Sequence, residues 1–131
     1  MVRYIILALL SGLIAGGLSF GYDKFYETNM FVDYSKVFGA PQLFMSCIIG
    51  TVLATAGYAL LVRFIPKYGE IIFGFLFSIL TTASILGPLL FNVGEVCEEC
   101  DLFLFYGLTI PMHFFPFMSW YTLKPIFIQS K

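Results

Sequence analysis

Charge is what this sequence has least of: of 131 residues only 11% are Asp, Glu, Lys or Arg, while 60% are apolar. Soluble domains carry roughly a quarter of their residues charged. Water therefore does not solvate most of this chain, and lipid is left as the solvent. Histidine and tryptophan occur once each and cysteine three times. One histidine cannot supply the axial pair of a transmembrane haem, and no set of His and Cys residues has zinc spacing. There is no Walker sequence, no G-x-G-x-x-G after a strand and no G-x-S-x-G. No cofactor, metal or enzymatic activity is expected on these grounds. The few basic residues form no patch for nucleic acid, which is excluded as a partner.

What is present is a set of long uncharged runs. Between Arg3 and Asp23 lie 19 residues without a formal charge, between Lys36 and Arg63 there are 26, between Glu70 and Glu95 there are 24, and between Asp101 and Lys124 there are 22. Each matches the roughly 20 residues that cross about 30 Å of hydrocarbon as an α-helix. The runs are apolar all round, whereas barrel strands alternate polar and apolar residues. The expected fold is all-α: a single polytopic membrane domain, a four-helix antiparallel bundle with helices over about 4–21, 42–63, 70–92 and 102–123. The first run follows Arg3 as a secretory leader would, but it is read as a membrane helix.

Basic residues near helix ends stay cytoplasmic. Arg3, Arg63, Lys67, Lys124 and Lys131 fall on one side of the four spans, and only Lys24 and Lys36 on the other, together with seven of the eight acids. Both termini are thus expected in the cytoplasm, with the chain multi-pass in a cell inner membrane. The loop acids Glu95, Glu98, Glu99 and Asp101 lack EF-hand spacing and read as a solvated loop.

Small residues recur every four positions in three spans: Ala8, Gly12 and Gly16; Ser46, Gly50 and Ala54; Gly74, Ser78 and Thr82. Such strips let helix backbones approach closely where no hydrophobic force joins them. Gly12, Gly16, Gly50 and Gly74 are expected to pack helices within the bundle, or, in the alternative, to form a self-association surface. The segment 22–41 places Tyr26, Met30, Tyr34 and Val37 at helical spacing. It reads either as an amphipathic helix lying along the outer interface or as an aromatic loop over the bundle. Gly87-Pro88 is expected to end the third helix, and Pro111 and Pro116 to bend the fourth.

Two groups carry chemistry. His113 falls midway along the fourth run, and depth matching along antiparallel spans puts Ser11, Thr51, Thr81 and Thr82 at its level. An ionisable group there suggests proton relay or ligand binding. The plainer reading is a neutral imidazole bonded to a threonine or to a carbonyl freed by a proline. Cys97 and Cys100 form Cys-Glu-Glu-Cys before the fourth helix, a candidate disulfide on the oxidising side. The motif resembles that of membrane thiol oxidoreductases, which implies redox exchange with a quinone. Those enzymes use a second cysteine pair, and Cys47 is the one other cysteine.

Three functions follow as expectations. The first is a non-catalytic accessory or assembly subunit of a larger membrane complex, with the bilayer and other membrane subunits or further copies as partners. The second is a small oligomeric transporter or channel around His113. The third is a thiol oxidoreductase using Cys97 and Cys100.

Overall fold

The computed structural model describes residues 2–98 and 100–128. Glu99 and Lys131, which enter the charge pattern above, lie outside them. Every regular element among the described residues is helical, and four spans are long and apolar enough to cross a bilayer. The protein is a four-helix membrane bundle.

The first span, α1, runs without interruption over Val2–Met30. No proline interrupts it, and its 29 residues exceed the roughly 20 that a bilayer requires. Residues 22–30 are therefore not a separate interfacial helix but the end of α1. Its aromatic stripe has a partner there: Tyr22 donates from its hydroxyl to the carbonyl of Gly107 at 3.0 Å, and Tyr26 is buried beside it. The helix stops at Phe31, whose φ of 55° puts a bulky residue in the left-handed region that normally falls to glycine. Residues 31–39 then turn back over the bundle end. Tyr34, 1% exposed, packs on Phe105 and donates to the Asp101 carbonyl at 2.9 Å.

Helix α2 spans Ala40–Phe64. Its start is fixed by Gln42, whose Oε1 accepts the Gly39 N–H at 3.0 Å, and Pro41 sits in the first turn, where no N–H is required. The turn into the next helix is tight enough that a Cβ on Gly69 would stand 2.5 Å from the Leu61 carbonyl oxygen. Helix α3, Gly69–Ser84, and the short α4, Leu86–Leu90, together make the third span. The break comes at Ile85, earlier than the sequence suggests. Pro88 falls in the first turn of α4, where its missing N–H has no acceptor to lose. The fourth span is likewise two helices, α5 over Leu102–Met112 and α6 over Phe114–Phe127, divided at His113 between Pro111 and Pro116. Asp101 caps α5, its carboxylate accepting from the N–H groups of Phe103 and Leu104 at 2.7 and 3.2 Å.

Helix α1 packs against α2, α5 and α6, whereas α3 packs only on α2, α6 and its own continuation α4. Two aromatic cores result. One, around Tyr34, Phe105 and Leu108, lies at the end bearing Asp23, Asp33 and Asp101, called here the acidic end. The other, around Tyr58, Phe73 and Trp120, lies towards the opposite, basic end. There Lys124, 7% exposed, pairs with Glu70 and lies over the Tyr58 ring, 4.8 Å from its centroid.

Candidate functional site

The fourth span breaks because two prolines bracket His113. The His113 N–H turns to the Ile110 carbonyl at 3.2 Å instead of reaching Thr109, as a regular α-helical ladder requires. The carbonyl so released is filled by the same residue's side chain: His113 Nδ1 lies 2.8 Å from the Thr109 oxygen. A carbonyl only accepts, so Nδ1 carries a proton, and in the uncharged form of the ring Nε2 is left as a bare lone pair. Pro111 releases a second carbonyl, that of Gly107, and the Tyr22 hydroxyl takes it. Two carbonyls freed by the break are thus re-bonded by side chains, as a hydrocarbon setting demands.

His113 opens into a cavity of about 660 Å³ between α2, α3 and the α5–α6 break. Its walls are mostly apolar, including Phe38, Leu53, Phe73, Leu80 and Phe117, with Thr81, Ser84 and Thr109 as the polar groups nearest His113 in sequence depth. Thr109 and Ser84 turn their protons onto backbone carbonyls, of Phe105 at 2.8 Å and Thr81 at 2.6 Å. The Thr81 hydroxyl, on a residue only 8% exposed, has no hydrogen-bond partner among the described residues. It lines the same cavity.

The polar layer expected around His113 therefore reduces to Thr81. Ser11 donates to the Leu7 carbonyl at 2.6 Å within α1. Thr51 reaches across to the Ala8 carbonyl of α1 at 2.8 Å. The Ser11 hydroxyl is consumed within α1 and that of Thr51 in the α1–α2 contact, because depth along a span says nothing of the direction in which a residue faces. Thr82, one position past Thr81, is exposed and donates to Ser78 at 2.9 Å.

The glycines divide in the same way. A Cβ on Gly12 would stand 2.7 Å from Thr51 Oγ1 and 2.8 Å from Ile48 Cα, and one on Gly16 would stand 2.5 Å from the Phe44 ring. These two carry the α1–α2 crossing. Gly74 meets the Tyr121 hydroxyl of α6 at 2.8 Å by the same measure. Gly50 packs against nothing: no atom lies within 4 Å of its absent Cβ, and it lines the cavity instead. Within the α2 strip Gly50 is thus a cavity wall, whereas Ala54 packs into the core around Trp120. Gly107 is a contact that the spacing rule missed, since it belongs to no four-residue strip; its absent Cβ would stand 2.5 Å from the Tyr26 hydroxyl.

Cys97 and Cys100 form a disulfide, and the loop that holds them lies against the 31–39 turn, with Cys100 Sγ 3.8 Å from the Asp33 carbonyl. Cys47 is free and buried on α2, its sulfur 3.8 Å from Ser19 Oγ on α1. No group of three or more His, Cys, Asp or Glu side chains converges on a metal position among the described residues. No protein-family model, curated protein or solved structure matches the chain.

Proposed function

We propose that the protein is a non-catalytic accessory or assembly subunit of a larger membrane complex, seated in a cell inner membrane with both termini cytoplasmic. The observation that carries this reading is the outward face of the third span. Only 11% of that span's most apolar stretch is buried, against 39% for the first span. Ser78 and Thr82 stand on this exposed side at a spacing of four, and a shallow concavity between them is walled by Ile79, Ala83 and Leu86. Small residues so spaced let a neighbouring helix approach closely, and inside the chain only Gly74 of that strip meets another helix. A transmembrane helix of a partner subunit fits the remainder.

The test is co-purification from native membranes in mild detergent, with wild type and a Ser78→Phe, Ala83→Phe double variant. A partner retained by wild type and lost by the variant, at unchanged melting temperature, supports the reading. A wild-type chain that elutes alone as a monomer ends it. For orientation, cysteines introduced at Lys67 and Glu98 in a background lacking the native ones are expected to react from opposite faces of sealed vesicles, Glu98 from the outside. The transporter reading draws support from the cavity at His113; proton or solute flux in liposomes that is equal for wild type and His113→Ala would remove it.

A further inference from the structure

Two helix contacts mark what lies level with His113. Trp120 Nε1 donates to Thr55 Oγ1 at 2.8 Å, and α2 runs in the same direction as α6. Counting seven residues back from each contact puts His113 beside Ile48, within a turn of Gly50. In the opposite direction, Gly74 meets Tyr121, and eight residues on from that contact Thr82, with Thr81 beside it, comes to His113's depth. The bare Nε2, the unpartnered Thr81 hydroxyl and the vacant space over Gly50 therefore share one level of the cavity.

The cavity's shape restricts the occupant. Its α2 wall extends from Gln42 to Leu61, roughly 28 Å at about 1.5 Å per residue. A volume of about 660 Å³ along that length has room for an extended hydrocarbon chain. A transmembrane helix, roughly 10 Å across with its side chains, does not enter. The walls are apolar, so the chain that fills them is hydrocarbon.

The polar groups restrict its head. In the uncharged ring Nε2 accepts a hydrogen bond, and the Ser84 and Thr109 protons are already committed; beside His113 Thr81 can also donate, while the Gln42 amide stands at the far end of the cavity. A head group that gives one hydrogen bond and takes one satisfies both free groups. A hydroxyl does so, and so does a protonated carboxyl. An ester or ketone leaves Nε2 unmatched, and leaving a polar site unpaired is what makes such pockets selective.

We infer that the cavity between α2, α3 and the α5–α6 break is a binding site for a single-chain lipid, an alcohol or a carboxylic acid, whose head group donates to His113 Nε2 and accepts from Thr81. The inference does not depend on the subunit reading, since it concerns the interior side of α3 and not its outward face.

The test uses the full chain in phosphatidylcholine nanodiscs with a diazirine-bearing hexadecanol as photoprobe, and the labelled peptides are mapped by mass spectrometry. Labelling is expected on the cavity-facing residues of α2 and α3. Unlabelled hexadecanol, palmitic acid or both should displace the probe, and their ranking names the head group. Methyl palmitate, which has no donor, should compete at least tenfold more weakly. Gly50→Phe should lower cavity labelling at least tenfold, because its ring enters vacant space. Thr81→Val, which keeps the side-chain shape, should narrow the preference of alcohol over ester severalfold with the melting temperature unchanged. Equal competition by ester, alcohol and acid, or undiminished labelling in Gly50→Phe, overturns the assignment.

Discussion

At Gly12 the space for a side chain is already taken, and at Gly50 it is free. The two glycines occupy the same kind of four-residue strip, yet opposite results follow from substituting them. Gly12→Ala drives a methyl group against Thr51 Oγ1 and the Ile48 backbone, an overpacking that costs about 1–3 kcal/mol. Gly50→Ala meets nothing and gains about 0.5–1 kcal/mol of helix propensity. Thermal unfolding in detergent, followed through buried Trp120, should separate the pair by several degrees. Lys124 offers the matching test for charge. Its ammonium is buried and its carboxylate partner among the described residues is Glu70, whose side chain is 49% exposed. Glu70→Gln leaves the cation in place without its counter-charge. Full burial of an unpaired charge costs about 3–5 kcal/mol; with Glu70 half in solvent the loss should fall to about 1–2 kcal/mol. A double variant that also carries Lys124→Met should recover most of it, and failure to recover would show that the pair contributes little.

Helix positions were the most legible part of this chain, because a membrane span must be apolar for its whole length and charge can stand only at its ends. The breaks were less so. Prolines at 111 and 116 announce a disturbance, but which carbonyls are released, and that Tyr22 and His113 itself re-bond them, depends on helices distant in sequence. The outer segment misled for a physical reason: aromatic residues at helical spacing from Tyr26 to Val37 are equally compatible with a helix on the membrane surface and with a long α1 followed by a turn packed on α5, and only the packing partner decides. Likewise Thr81 and Thr82 are indistinguishable by depth, and one residue's rotation of 100° sends one to the cavity and the other to lipid. Asp101, by contrast, is readable as a cap from its place before an apolar run. Its carboxylate satisfies two N–H groups of α5. Asp101→Ala should destabilise the protein by about 1 kcal/mol, and hydrogen exchange should quicken at Phe103 and Leu104 while α6 stays protected. Uniform loss of protection along the fourth span would show that α5 and α6 do not open separately.

Taken whole, the molecule is held at its two ends by different chemistry. The basic end relies on a half-buried ion pair and a tryptophan hydrogen bond, and the acidic end on aromatic packing with a single neutral phenol, Tyr34, joining the 31–39 turn to the start of α5. Burial pushes the Tyr34 hydroxyl up to about 12 from an ordinary value of 10.0, with the neighbouring Tyr26 and Asp101 adding to the shift. The sign follows from linkage: a group whose pKa is raised by folding holds its proton more tightly in the native state, so its contribution is complete below pH 10 and disappears as pH climbs through 12. Lysines also titrate in that window, so the informative quantity is a difference. Below pH 10 the wild type should exceed Tyr34→Phe by about 1 kcal/mol, the worth of one hydrogen bond to a carbonyl. Between pH 10 and 12 that margin should shrink and then reverse, because phenylalanine has no proton to lose, while both proteins lose any lysine contribution equally. A margin that stays constant to pH 12 would mean that Tyr34 titrates alike in the folded and unfolded chain, and that the turn is held over the bundle by its aromatic contacts alone.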